Sequence, residues 1–199
     1  MKIARIAPLY ESVPPRLYGG TERVVSYLTE ELVRQGHDVT LFASGDSKTS
    51  AKLVPCSDLA LRTNPAVTDP VPYHIIMLEE VRRRANEFDI LHFHIDFLHA
   101  SLVHDFKQRT LTTLHGRLDL PHIAPFYRFF RELPLVAVSD DQRNYRRSTG
   151  REPFTMVCLA ISCRSNQRSP AGISLSSAES RPKSDRITQS KLLHGPECR

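Results

Sequence analysis

Two adjacent glycines, Gly19 and Gly20, stand where an amphipathic helix is expected to begin. Ser, Thr, Asp or Asn usually precedes a helix, because its side-chain oxygen accepts hydrogen bonds from the unpaired N–H groups, and glycine offers no such oxygen. Exposed N–H groups and the helix dipole attract anions, and a missing Cβ lets a phosphate or a sugar approach the backbone. The pair is therefore a candidate ligand-binding turn, although a plain tight turn explains it equally well. The dinucleotide-binding pattern G-x-G-x-x-G is absent.

Histidine and aspartate residues follow two apolar runs of the chain. His92, His94 and Asp96 alternate in the segment HFHID, and His115 ends the segment TLHG. Alternate residues of a strand point to one face, and imidazole and carboxylate groups bind metal ions, so these residues allow a metal-dependent hydrolase. Polar residues at the end of a buried strand also serve in ordinary hydrogen bonding, which is the commoner case. No metal site is expected on this balance.

Short apolar runs and amphipathic segments alternate along residues 1–150. A helix is expected from about Thr21 to Gln35, with Gly36 as its stop. In a second helix Leu78, Val81, Ala85 and Phe88 share one face, and Glu79 can pair with Arg83 and Glu80 with Arg84. A short helix is expected over residues 98–107, and residues 55–72 are expected to be irregular. The expected strands lie within residues 2–9, 37–44, 88–95, 109–116 and 133–140.

This alternation of strands and helices indicates an α/β fold with a Rossmann-like doubly wound parallel sheet. Ligands of such sheets bind in the crevice beyond the carboxyl ends of the strands. The polar candidates fall where the expected strands stop: Tyr10, Glu11, Ser44, Gly45, His94, Asp96, His115, Gly116, Ser139 and Asp140.

The charge of the chain is unevenly divided. Of the net +5, residues 1–150 contribute +1 and residues 151–199 contribute +4. The basic segment has no run of Lys or Arg and almost no aromatic residues on which bases could stack, so no nucleic-acid partner is expected.

The sequence predicts a cytoplasmic protein. No stretch approaches the roughly 20 apolar residues of a membrane span, and the N-terminus lacks the features of a signal peptide. Cys56 stands alone, and Cys158, Cys163 and Cys198 form neither a C-x-x-C spacing nor a disulfide framework.

Four segments, in this order, resemble the N-terminal domain of the family 4 retaining glycosyltransferases of the GT-B fold. They are RIAPLYESVPPRLYGGTERVVSYLTEELVRQGHDVTLFASGDS, DILHFHID, TTLHG and AVSDDQR. The resemblance covers residues 1 to about 144. It implies two Rossmann-like domains that face each other, of which the N-terminal one mainly holds the acceptor and the C-terminal one holds a nucleotide-diphosphate sugar.

The resemblance also implies roles for particular residues. His115 is the expected catalytic histidine near the transferred sugar, and Gly19 and Gly20 are expected beside the donor phosphates. Thr21 and Glu22 would face the cleft or cap the first helical turn. The full set expected to bind donor phosphate or acceptor is Gly19, Gly20, Thr21, Glu22, His94, Asp96 and Ser139. No cofactor is expected besides the nucleotide sugar, which is a co-substrate in full-length relatives.

The last part of the chain departs from the family. Residues 1–148 form the expected family domain, whereas residues 149–199 are rich in Ser, Arg and Pro with little periodicity and are predicted to be disordered. The second domain, with its Glu-x7-Glu pair, is missing from this sequence. Codons permitted for residues 149–163, read two bases out of frame, translate as WEGTVHHGLPGDIL, which resembles the family's next strand and loop. We therefore expect the reading frame to be lost near residues 144–149.

The sequence thus favours the acceptor-side domain of a glycosyltransferase that is inactive alone. Its expected partners are a sugar acceptor, which can be a small molecule, a lipid or a glycan, and a nucleotide sugar if a second domain is supplied. The alternative is a non-catalytic binding or interaction domain that pairs with a separately encoded donor-binding half.

Overall fold

The computed structural model describes residues 1–103, 108–139 and 142, together with the backbone of two further short strands. The helices are α1 (Gly20–Arg34), α2 (Val71–Arg84) and α3 (Ala124–Phe129). The strands are β1 (Lys2–Ile6), β2 (Asp38–Ser44), β3 (Lys52–Ser57), β4 (Ile90–Phe93), β5 (Thr110–Leu114), β6 (Leu135–Ala137), β7 (Met156–Ala160) and β8 (Ser174–Ser176).

The strands form one sheet in the order β3-β2-β1-β4-β5-β6-β7-β8. Neighbouring strands are parallel from β3 through β7, and β8 runs antiparallel to β7. The first six strands have the doubly wound order. The chain adds strands on one side of β1 up to β3 and then adds β4 to β6 on its other side, so the strand order reverses between β1 and β4. The predicted α/β class with a Rossmann-like parallel sheet is confirmed.

Helices cover both faces of the sheet, which is why its central strands read as nearly continuous apolar runs. On one face Met77, Leu78 and Val81 of α2 pack in a single core cluster with Ala4, Ile6, Leu91, Phe93 and Leu114. On the other face α1 packs through Val25, in a cluster with Leu41, and through Leu28, in a cluster with Val136. The sheet is thereby held rigid beneath the ends of its strands.

The helices agree closely with the sequence patterns. Helix α1 ends at Arg34, and Gly36 follows with a φ of 83°, a left-handed conformation that glycine adopts without strain. On α2 the Glu79 carboxylate lies 2.9 Å from Arg83 Nε, as expected for residues four apart. Glu80 and Arg84 form the other expected pair, at 3.9 Å.

Three regions differ from the sequence-based expectations or lie beyond them. Strand β3 extends into the stretch that was expected to be irregular. It contains Pro55, which is tolerated there because β3 lies at the edge of the sheet. Residues 97–102 form consecutive turns instead of the start of a helix, and the end of that expected helix lies outside the described residues. Most of residues 149–199 also lies outside them; β7 and β8 are the described parts of this segment.

Among the described residues, no helix combines the length and the apolar character needed to span a bilayer.

Candidate functional site

A cleft of about 660 Å³ lies at the carboxyl edge of the sheet, beside the reversal point between β1 and β4. Parallel sheets of this topology place their ligands at such a point. Eight residues were expected to act in catalysis or to bind donor phosphate or acceptor. Seven of them line this cleft: Gly19, Gly20, Thr21, Glu22, His94, Asp96 and His115.

Helix α1 begins in the cleft without a side-chain cap. Gly19 is the N-cap residue, and its carbonyl accepts the first helical hydrogen bond, from Arg23 N at 3.0 Å. A Cβ on Gly19 would lie 2.7 Å from Pro15 Cβ, so this position requires glycine for close packing. A Cβ on Gly20 would meet nothing within 4 Å. The two glycines therefore differ: Gly19 makes a tight turn, and Gly20 opens the helix start to the cleft.

Glu22 lies in the first turn of the same helix and is buried, with 4% of its surface exposed. Its carboxylate accepts hydrogen bonds from its own backbone N–H and from that of Glu11, and its burial raises its pKa. Glu11 in turn forms an ion pair with Arg62 at 3.3 Å. Burial and the nearby Glu11 carboxylate make protonation of Glu22 easier than for an exposed glutamate, and the charge of Arg62 only partly offsets them.

His94 and His115 form a pair at the ends of β4 and β5. His94 Nδ1 and His115 Nε2 are 2.8 Å apart, so a single proton lies between the two rings. Burial, with the charge of Arg5 as a second cause, lowers the pKa of His115 to about 4 and that of His94 well below its ordinary value. Both imidazoles are neutral at pH 7.

Asp96 holds the backbone that carries His115. Its Oδ1 accepts a hydrogen bond from His115 N at 3.3 Å, and burial raises its pKa. Asp96 adopts a φ of 51°, in the left-handed region that Asp tolerates better than most residues. A Cβ on Gly116 would lie 3.6 Å from Asp96 Oδ2. Asp96 thereby fixes the turn that follows β5.

The three residues that suggested a metal site do not act together. The His92 ring is held by Arg5 on one side and by Thr113 Oγ1, 2.7 Å away, on the other. His94 bonds to His115, and Asp96 accepts from the backbone. Within the described part of the chain, no three His, Cys, Asp or Glu side chains are grouped so that they could hold a metal ion.

Ser139 follows β6, away from the cleft lining. Its hydroxyl accepts a hydrogen bond from Gln142 N at 3.2 Å. Gln142 then ties two strand ends together, because its side-chain amide donates to Gly116 O at 2.8 Å and its Oε1 accepts from Val138 N at 2.9 Å. Ser139 therefore supports the loop beside the site, and Gln142 was missed because a lone Gln carries no sequence signal.

Sequence reasoning also missed His74 and Arg62, which line the cleft from outside the expected strand ends. His74 Nε2 accepts a hydrogen bond from Leu9 N at 3.1 Å, and its Nδ1 donates to Pro70 O at 2.9 Å. The Arg62 guanidinium lies 5.9 Å from the centre of the Tyr18 ring. Both residues come from the stretch expected to be irregular or its helical continuation, where no periodicity pointed to a site.

Comparisons with known proteins place the chain in a family. A family model described as Glycosyltransferase Family 4 matches residues 18–162. A search of curated protein sequences found no match.

Several solved structures are similar to this chain, and two of them share its fold with a TM-score of at least 0.50. A sucrose-phosphate synthase from Thermosynechococcus elongatus aligns over 83% of this chain and 49% of its own, with 15% identity and a TM-score of 0.56. A glycosyltransferase from Rickettsia africae ESF-5 aligns over 79% of this chain and 42% of its own, with 19% identity and a TM-score of 0.50. AviGT4, a glycosyltransferase involved in Avilamycin A biosynthesis, aligns over 58% of this chain and 32% of its own, with 25% identity and a TM-score of 0.39.

The described domain is therefore a Rossmann-like half of a GT-B glycosyltransferase fold. Because the family model matches most of the sequence, the chain belongs to Glycosyltransferase Family 4. It spans 32–49% of the length of the solved structures named above.

Proposed function

We propose that this domain forms the acceptor side of a retaining glycosyltransferase that uses a nucleotide-diphosphate sugar. One observation carries the proposal: the open start of α1 at Gly20 and the neutral His94–His115 pair line the same cleft. The first can receive an anionic oxygen, and the second can exchange a hydrogen bond with a sugar hydroxyl. These are the two kinds of group that a sugar phosphate presents.

In this proposal, backbone N–H groups at the start of α1 face the donor phosphate, whose negative charge grows as the sugar leaves. The open space in front of Gly20 gives that phosphate access. Glu22 lies at the same helix start, and a carboxylate repels a phosphate. Since burial raises the pKa of Glu22, we expect donor binding to be accompanied by proton uptake at this residue.

His115 acts as a neutral hydrogen-bonding group near the transferred sugar. Its Nε2 is engaged by His94, so Nδ1 is the ring nitrogen left for a substrate hydroxyl. The backbone bond from His115 N to Asp96 keeps the ring in place during the reaction. Positioning of this kind lowers the barrier because the hydrogen bond does not have to be formed anew in the transition state.

The donor is held mainly by a second domain in this proposal, and the polypeptide of residues 1–199 does not turn over by itself. The protein acts in the cytoplasm, where nucleotide sugars are available to it. Residues 149–199 are translated out of frame, and the shifted frame encodes the donor-binding domain.

The test begins with the gene. We expect the shifted frame after codons 144–149 to continue for a domain's length and to encode a Glu-x7-Glu pair. The frame-restored protein is then assayed for release of UDP or GDP from nucleotide sugars with pooled acceptors, beside the 199-residue chain as control. Turnover by the restored protein alone is expected. Early stop codons in the shifted frame would refute the frameshift. A folded, frame-restored protein without turnover would refute the proposed glycosyltransferase activity.

A further inference from the structure

Arg5 is a buried charge without an ionic partner. It lies in the middle of β1 with none of its surface exposed. Its Nη1 donates a hydrogen bond to His92 Nδ1, whereas Nε and Nη2 have no partner among the described residues. No ion pair within the described part of the chain involves it. Burying a charge is costly, and a carboxylate normally compensates. Since no carboxylate compensates this buried guanidinium, we expect Arg5 to have a role other than stabilising the fold.

The surroundings of Arg5 lead to the cleft. Because His92 Nδ1 accepts from Arg5, its Nε2 carries the proton and donates to Thr113 Oγ1 at 2.7 Å. The rings of His92 and His94 lie 4.3 Å apart, tilted by 30°. His94 Nδ1 then shares its proton with His115 Nε2 at 2.8 Å. The buried guanidinium is thus connected to the cleft-lining imidazole through two others.

We propose that Arg5 is a positioning residue of this cleft. Its hydrogen bond to His92 and its uncompensated charge keep the rings of His92, His94 and His115 neutral, with a single proton on each ring. The importance of that arrangement for turnover rests on the proposed function, but the arrangement itself does not.

Burial is the main cause of the lowered pKa of His115, and among the charges near it Arg5 opposes protonation. Arg5 comes from β1 and His92 from β4, and His94 and Asp96 follow β4. Glu22 of α1 and His74 of α2 line the same cleft. The two carboxylates favour an imidazolium, and the guanidinium disfavours it. Burial lowers the pKa of Arg5 to about 9, so Arg5 keeps its charge at pH 7.

The test replaces Arg5 by methionine, which keeps much of the length of the side chain and removes its charge. Replacing a buried ionic group with an apolar one of similar size is often neutral or stabilising, so Arg5→Met is expected to fold. Arg109→Met is the matched control, because Arg109 donates to Phe88 O at the opposite edge of the sheet. The readout is the pH titration of the His115 ring nitrogens in long-range ¹H–¹⁵N spectra of the full chain.

In the unsubstituted protein and in Arg109→Met, His115 is expected to stay neutral down to a pKa of about 4. In Arg5→Met the pKa of His115 should rise but stay below its ordinary value, because burial, the larger cause, remains, and His92 should lose its preference for the Nε2–H tautomer. Unchanged titration and tautomers in a folded Arg5→Met protein would overturn the proposal.

A second measurement covers the case in which Arg5→Met does not fold. The unsubstituted protein must then show His92 as the Nε2–H tautomer and His115 as neutral at pH 5; an imidazolium at either position would overturn the proposal. In the frame-restored enzyme, Arg5→Met should lower kcat and leave KM unchanged. If the titration shifts as expected while the unsubstituted restored enzyme shows no turnover, the proposed function fails and the role of Arg5 stands.

Discussion

The two edges of the sheet use polar residues in opposite ways. At the amino edge, Asp89 Oδ2 accepts from Lys2 N at 2.8 Å, and Asp89 N donates to Lys2 O at the same distance. Arg109 Nη1 donates to Phe88 O at 3.0 Å, and its Nη2 donates to Asn86 Oδ1 at 3.2 Å. Each of these groups joins one strand start to its neighbour, and together they stabilise the fold.

At the carboxyl edge the polar groups are left partly unsatisfied. The buried Nε2 of His94 has no partner among the described residues, and α1 begins without a side-chain cap. The Glu22 carboxylate is buried near another carboxylate. Arrangements of this kind cost stability, and proteins keep them where a ligand supplies the missing partners. The difference is consistent with an amino edge that maintains the sheet and a carboxyl edge that carries the proposed ligand-binding site.

The largest expected effect is the loss of stability in acid. The pKa of His74 and those of His92, His94, His99 and His115 are lowered by burial, to about 3 for His99 and about 4 for His115. Below pH 6.5 the unfolded chain binds protons that the native carboxyl edge cannot, so stability falls as the pH drops toward 4. Each histidine contributes up to about 1.4 kcal/mol per pH unit in this range.

Urea unfolding at pH 7.5, 6.5, 5.5 and 4.5 measures this decline. Glu22 and Asp96 act in the opposite sense, because their raised pKa values let the native state bind protons first. Five histidines outweigh two carboxyls, so a net loss is expected. If the free energy of unfolding stayed constant between pH 6.5 and 4.5, the buried histidines would be protonated as easily in the native state as in the unfolded chain, which would contradict the prediction.

The second prediction sets one residue from each edge against the other. His115→Ala in the frame-restored enzyme is expected to lower kcat by about 10²-fold, the typical effect of losing one preorganised hydrogen-bonding group. Arg109→Ala is expected to leave kcat unchanged and to lower the free energy of unfolding by about 1–2 kcal/mol, because it leaves backbone carbonyls unpaired. Steady-state kinetics and urea unfolding of both variants measure these effects. Full activity in His115→Ala would contradict the proposed catalytic role of His115.

The last prediction compares the effects of the two glycines on stability. Gly19→Ala should destabilise the domain by about 1–3 kcal/mol, because the new Cβ would stand 2.7 Å from Pro15 Cβ. Gly20→Ala meets open space at a helical position and should be neutral or stabilising by up to about 1 kcal/mol. Urea midpoints of the two variants provide the comparison, and equal midpoints would contradict it.

Much of the architecture was predictable from local patterns. The apolar runs at β1, β2, β4, β5 and β6 and the 3.6-residue periodicity of α1 and α2 are properties of the chain itself. Parallel strands place their carboxyl ends at one edge, so His94, Asp96 and His115 could be assigned to a common cleft before any coordinates. Strand β3 escaped notice, because an edge strand with a proline has neither alternation nor a continuous apolar run.

The sequence by itself determined the fold class, the family and the edge of the sheet at which the candidate residues gather. Which side chains meet there was decided by tertiary structure alone. Arg5 and His92 are 87 residues apart, and no sequence pattern linked them, yet the register of β1 against β4 sets them side by side. His94 likewise reaches His115 through the pairing of β4 with β5. Strand register, side-chain burial and the pKa values that follow from burial depend on contacts distant in sequence, and no local pattern encodes them.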